Sequence, residues 1–184
     1  MVAEKFGLPS DYLLTVGTIE PRKAHASLLS ALETVPDAPV LVVVGNIGWH
    51  HGPIVAAIRH HERAGRARFL GRVTDADLAA LYSAAKLTIY PSFYEGFGLP
   101  VLEAMSCGCP VLCRWSSSLP EVGGSAAAYF RGRGPENLAS EIRRLLSDSA
   151  RLEMMAAAGL QRAKEFNFRR AAEQVVGILR REVA

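Results

Sequence analysis

At 184 residues, with hydrophobic residues at 49% and charged residues at 21%, the chain has the balance of a globular protein that buries a core, which excludes a disordered one. A formal net charge of +3 is too mild for a nucleic-acid binder, so no nucleic-acid partner is expected. Apolar runs such as residues 40–44 and 156–158 are too short to span a bilayer, and three cysteines, an odd number, argue against a disulfide framework and for a reducing, cytoplasmic setting.

The opening MVAEKFGLPSDYLL lacks the basic flank and apolar block of a secretory signal and reads as linker-like. The run at 12–16 predicts a first strand, closed by Gly17 and a polar turn, with a helix over 25–34. A second apolar run predicts a strand at 40–44; Gly45, Gly48 and Gly52 then break the chain before a helix over 54–64. A short strand is expected at 68–70. Thr74 or Asp75 offers a side-chain oxygen to cap a helix over 76–85. Strand 87–90, helix 101–107 and strand 110–113 follow, then a short strand near 127–130 and helices beginning at Pro135, Ser149 and Arg169. The late basic surplus at Arg162, Lys164, Arg169, Arg170, Arg180 and Arg181 reads first as a solvated helix face. The alternative is peripheral contact with anionic lipid at the inner face of a membrane.

Strands that are apolar throughout belong in a sheet covered on both faces. Their alternation with helices predicts an α/β fold, doubly wound about a mostly parallel, six-stranded, Rossmann-like sheet in one domain. In such folds ligands bind at the carboxyl ends of the strands, where the glycine-rich breaks of this chain also fall.

Two of those ends carry chemistry. The first strand runs into VGTIEPRKAH, which places Arg22 and Lys23 near a helix start. There a planar fork and a point charge add to free backbone amides and suit a diphosphate. The second end is PSFYEGFGLPVLEAM, residues 91–105. Gly96 and Gly98 are expected to allow positive φ and close backbone approach to a ligand. Pro100 suits a first helical turn, which leaves amides around residues 98–101 free. Glu103, one turn into that helix, can accept from two neighbouring hydroxyls, while Glu95 would face another part of the same ligand. The pattern suits a diphosphate flanked by sugars on both sides.

These residues, with the VVVG strand end, FLGRVTDADLAALYSAA and SSLPEVGG, resemble the nucleotide-binding, C-terminal half of family 4 retaining glycosyltransferases, which have the GT-B fold. The resemblance runs from about Tyr12 to the last helix. It implies that Glu95 hydrogen-bonds the transferred hexose and that Glu103 binds the ribose hydroxyls of the donor. It implies that Gly96, Phe97, Gly98 and Leu99 bring backbone amides to the sugar and phosphates, beside the turn of Gly17 and Thr18. By the same resemblance Arg22 and Lys23 would take the phosphate, the lysine being the more dependable ligand, and with Glu95 they would form the catalytic set. Arg72 and Val73 would read the base edge, with Leu78 packed nearby, and Tyr82 reads as a core residue. Many relatives carry an arginine where this chain has Thr18, and Arg22 is expected to supply that charge. Arg114 and Trp115 replace small residues; they either line the mouth of the site or cover a strand end.

No cofactor is expected. There is no Asp-x-Asp motif, Cys107, Cys109 and Cys113 lack a fourth ligand and read as buried structural thiols, and His50 and His51 read as loop residues. The resemblance implies a metal-independent transfer of a hexose from a nucleotide-diphosphate sugar, leaning toward GDP-mannose, to a glycan or lipid-linked acceptor in polysaccharide assembly. The resemblance also implies attack on the face from which the leaving group departs, with the leaving phosphate oxygen accepting the acceptor's proton. It also implies a missing partner, the N-terminal acceptor domain, in an excised, split or truncated protein, so that this chain alone binds donor but transfers poorly. A non-catalytic nucleotide-sugar-binding module is the alternative. A dinucleotide-dependent oxidoreductase is disfavoured, because GTIEPRK stands where a Gly-x-Gly-x-x-Gly turn would be.

Overall fold

A computed structural model describes residues 2–182. The strands are β1 (Tyr12–Val16), β2 (Val40–Val44), β3 (Ala67–Gly71), β4 (Leu87–Tyr90), β5 (Val111–Arg114) and β6 (Ala128–Phe130). They form one sheet in the order β3-β2-β1-β4-β5-β6, with every neighbouring pair parallel.

The central strands are apolar throughout because both faces are covered. Leu13, Leu41, Val43, Leu87, Ile89 and Leu112 point into one core, with Leu28 and Leu29 of α2 (His25–Glu33), Ile54 and Ile58 of α3 (Gly52–Arg63), and Leu138 and Ile142 of α7 (Pro135–Leu146). Tyr12, Leu14, Val42, Val44, Tyr90, Val111 and Cys113 point into the other. There they meet Leu81 and Tyr82 of α4 (Asp75–Ala84), Val101 and Met105 of α5 (Leu99–Ser106), and Leu119 and Val122 of α6 (Leu119–Gly123). Each fully buried side chain of this kind contributes about 1.5–3 kcal/mol. Helices therefore cover one face through β1–β3, and α4 carries the chain to the other face before β4. The strand order reverses between β1 and β4, which opens a crevice at their carboxyl ends.

Thr74, and not Asp75, caps α4: its hydroxyl accepts from the Asp77 amide at 3.2 Å. Helix α5 begins two residues earlier than the sequence predicts, because Gly98 takes the left-handed N-cap conformation (φ 103°). Two short helices escape sequence reading. The segment expected to be linker-like contains α1 (Val2–Phe6), which packs on α4 and ties Lys5 to Asp77 at 2.7 Å. A five-residue helix is too short to show a period, and α6 is masked by the proline and glycines of SSLPEVGG. The chain ends in α8 (Ser149–Ala163) and α9 (Phe168–Glu182). Arg169, Arg170, Arg180 and Arg181 lie exposed on α9, as expected. Arg162 on α8 instead bonds the Val122 carbonyl at 3.1 Å. Among the described residues no helix is long and apolar enough to cross a membrane.

Candidate functional site

The turn after β1 is built against the turn after β2. The Gly17 amide bonds the Val44 carbonyl at 2.9 Å, and Ile19 pairs with Ile47 beyond the strand ends. The two backbones approach so closely that a Cβ on Gly45 would stand 2.0 Å from the Gly17 carbonyl oxygen. The Lys23 stem covers Gly17, at 3.5 Å from where a Cβ would stand. The Thr18 methyl packs against Gly48 in the same way. A 3-10 turn at Pro21–Lys23, closed by the left-handed Ala24 (φ 55°), then aims Arg22 and Lys23 across the crevice.

Because β1 and β4 are neighbours, these cations meet the loop that follows β4. Lys23 Nζ donates to Glu95 Oε1 and to the Tyr90 hydroxyl, both at 2.7 Å. The Tyr90 hydroxyl donates to the same Oε1 at 2.8 Å. Arg22 reaches Glu95 Oε2 at 3.0 Å, Glu20 at 2.7 Å and the Tyr94 carbonyl at 2.7 Å. Burial pushes the Glu95 carboxyl up, but hydrogen bonding by Lys23, Ser92 and Tyr90, with the Lys23 charge, outweighs it and holds the group below its ordinary range. Glu95 is therefore an ionised, 8% exposed carboxylate lying on two cations. Two residues after Lys23, burial and the Lys23 charge lower His25 to about 4, so this imidazole is neutral and adds no charge.

The loop itself is pinned by the two serines just before α6. The Glu95 amide donates to Ser117 Oγ at 2.9 Å, and Ser118 Oγ donates to the carbonyls of Glu95 and Phe97 at 3.1 and 2.7 Å. Two expectations need correction here. Only Gly98 has positive φ, and a Cβ there would lie 2.7 Å from Leu119; Gly96 has ordinary φ and faces open space. The Val101 amide is not free either, since it bonds the Gly98 carbonyl at 3.0 Å. The free amides lie earlier: among the described residues those of Gly96, Phe97, Gly98 and Leu99 donate to no protein acceptor. An anion near α5 would find them there.

Glu103 is on α5 and exposed, and its Oε2 accepts from the Tyr82 hydroxyl at 3.1 Å. Tyr82 is thus a core residue, as expected, with a polar tip that sequence reading missed. Phe97 and Leu99 bring only backbone toward the crevice: their side chains, with Leu102, Phe166, Ala171 and Gln174, line a cavity of about 650 Å³ between α5 and α9. Arg72 and Val73 follow the edge strand β3, on the same side of the sheet but two strands from β1. No hydrogen bond or ion pair among the described residues joins them to Lys23 or Glu95.

Arg114 covers a strand end. It is 5% exposed, sandwiched between Phe93 and Phe130 (4.5 and 4.7 Å), and donates to the Pro91 carbonyl at 2.9 Å. Trp115 stands outside, against Tyr129 and Arg131. The cysteines are free, with Cys109 and Cys113 buried. No cluster of three or more metal-ligating side chains occurs among the described residues.

A family model described as "Glycosyl transferases group 1" matches residues 3–162. O-antigen chain mannosyltransferase B of Escherichia coli is 39% identical over 180 residues, which cover 95% of this chain and 47% of that protein. Serotype-specific mannosyltransferase WbdA of Escherichia coli is 32% identical over 179 residues, 94% of this chain and 22% of that protein. The chain thus spans about half of the first relative and less than a quarter of the second. Among solved structures, sucrose-phosphate synthase from Thermosynechococcus elongatus matches with a TM-score of 0.86 at 27% identity, over 99% of this chain and 48% of that one. The Anabaena protein HepE, solved in complex with UDP-glucose, shares the fold with a TM-score of 0.84 at 22% identity, over 97% of this chain and 51% of that one.

Proposed function

The chain belongs to the group 1 glycosyl transferases, and on that premise we propose that it is the C-terminal, donor-binding half of a family 4 retaining hexosyltransferase of polysaccharide biosynthesis. The observation that carries this reading is the convergence of Lys23, Arg22 and Glu95 at the switch point between β1 and β4, with Glu103 about one turn into the helix α5 that follows. The diphosphate of a nucleotide sugar lies against Lys23, Arg22 and the free amides of residues 96–99. The ribose hydroxyls lie on Glu103, the base toward Arg72 and Val73, and the hexose on Glu95. The relatives described as mannosyltransferases support mannose as the sugar, and GDP-mannose is the donor proposed.

In the structure Glu95 occupies both cations, so donor binding exchanges one anion for another. The diphosphate takes Lys23 and Arg22, and Glu95 turns to the sugar hydroxyls. As the glycosidic bond breaks, negative charge grows on the departing diphosphate, where a point charge, a guanidinium and aligned amides are already placed to stabilise it. No metal or cofactor enters this scheme. The acceptor, a glycan or lipid-linked glycan, approaches on the same face from an N-terminal domain that completes the enzyme. Exposed Val175, Val176, Ile178 and Leu179 on α9 offer an apolar face for that domain.

Calorimetric titration with GDP-mannose, UDP-glucose, GDP, UDP and NAD tests the reading. One nucleotide diphosphate and its sugar should bind, NAD should not, and Glu103→Ala should weaken binding about 30-fold, the loss expected for hydrogen bonds to a charged group. Binding that Glu103→Ala leaves unchanged, or no binding by the unaltered chain, would count against it.

A further inference from the structure

The chain has five tyrosines, and the ends of their side chains separate them into three kinds. Tyr94 is exposed. Tyr12 and Tyr129 donate to backbone carbonyls, of Leu81 at 2.7 Å and of Gly124 at 2.8 Å, and so tie one stretch of chain to another. Tyr82 and Tyr90 instead end on carboxylates, and those carboxylates are Glu103 and Glu95. The two rings lie in the same core beneath the crevice, 1% and 2% exposed, one from α4 and the other from the last residue of β4.

Burial, and then the facing carboxylate, raise both phenols far above their ordinary range. Each hydroxyl therefore stays protonated and acts as a donor to its glutamate. A ring locked in a core on a helix or strand has little freedom, so its hydroxyl is a fixed point on which a mobile carboxylate can be oriented.

We propose that Tyr90 and Tyr82 are positioning residues for the two ligand-binding glutamates, Tyr90 for the one that meets the sugar and Tyr82 for the one that meets the ribose. The assignment rests on the donor-binding reading. Its logic is sharpest at Glu95. Once a diphosphate draws Lys23 and Arg22 away, Tyr90 is the remaining described side-chain hydroxyl bonded to Oε1, and Oε2 becomes available to the hexose. At Glu103, Tyr82 takes Oε2, and no described side chain takes Oε1. In both places one carboxylate oxygen is anchored and the other offered.

Phenylalanine at either position keeps the ring and removes the anchor. With Tyr90→Phe, the ratio of nucleotide-sugar affinity to nucleotide-diphosphate affinity should fall about tenfold, since a lost hydrogen bond to a charged group has about that effect or more. With Tyr82→Phe, affinity for the nucleotide diphosphate should fall about tenfold, while its 2′,3′-dideoxy form binds as it does to the unaltered chain. Thermal unfolding of both variants accompanies the titrations. Equal weakening of all ligands alongside a lowered melting temperature would reduce the tyrosines to structural residues and overturn the assignment. Unchanged sugar and ribose discrimination in both variants would overturn it as well. If the unaltered chain binds no nucleotide, the donor reading fails first and the assignment falls with it. A chain that binds nucleotide while the tyrosine variants behave as the parent refutes the assignment alone.

Discussion

Lys23→Ala should weaken binding of a nucleotide diphosphate about 10³-fold, the loss typical of removing one partner from a desolvated charge pair. The Lys23 side chain is 11% exposed and its ammonium is a point charge held between Glu95 and the Tyr90 hydroxyl. Water screens it little. Arg22 is 38% exposed and shared with Glu20, so Arg22→Ala should cost about tenfold. Without ligand, Lys23→Ala also leaves Glu95 with Arg22 and Tyr90 as its donors, and the carboxyl titrates higher than in the parent. A depressed carboxyl stabilises the fold above its unfolded value of 4.5 and loses that contribution as pH falls through its folded value. The stability gap between variant and parent should therefore be widest near neutral pH and close in acid. Urea unfolding at about pH 7 and in steps down to about pH 2 follows it. A gap that persists in acid would mean that Lys23 acts through packing, not through Glu95.

Gly45→Ala should destabilise the chain by about 4 kcal/mol, at the upper end of single substitutions. The added methyl would meet the Gly17 carbonyl, at 2.0 Å from its oxygen and 2.6 Å from its carbon, and the backbone there (φ 151°) suits glycine. A carbonyl in a paired turn cannot rotate away as a side-chain tip can. The turn that carries Arg22 and Lys23 would be pushed off β2, so nucleotide binding should fall together with stability. Gly52→Ala serves as the control. Its Cβ meets nothing within 4 Å at the start of α3, and stability should change by less than about 0.5 kcal/mol. Chemical denaturation of both variants decides the matter. Equal effects would mean that the close approach of the two turns does not matter.

What the sequence revealed, and what it hid, follow from the range of the interactions involved. Residues 12–16 and 40–44 read as strands because both of their faces are buried, a property of the residues themselves. Lys23, Glu95 and Glu103 stand out because glycine and proline mark their loops, which is also local. That Lys23 and Glu95 share one ion pair depends on β1 lying beside β4, and strand order is settled by packing across the whole sheet. Tyr90 ends an apolar run and looks like any core aromatic until its hydroxyl is seen between a lysine and a glutamate. Ser117 pins Glu95 from 22 residues away, a distance at which no periodicity points. Gly96 and Gly98 look alike in sequence, yet only Gly98 takes positive φ, because it caps a helix. Arg114 reads in sequence as lining the site mouth or covering a strand end, and it is a buried clamp, because Phe93 from the loop after β4 and Phe130 at the end of β6 close on it.

The proposed function places the diphosphate of a nucleotide sugar in the crevice between β1 and β4. The most direct measurement is a crystal structure of this chain grown with the nucleotide sugar that binds it in solution. Phosphate oxygens are expected against Lys23 Nζ and the amides of residues 96–99, the ribose on Glu103, and Glu95 drawn off Lys23 toward the sugar. A nucleotide seated instead in the cavity between α5 and α9, with the 2.7 Å pair of Lys23 and Glu95 intact, would contradict it.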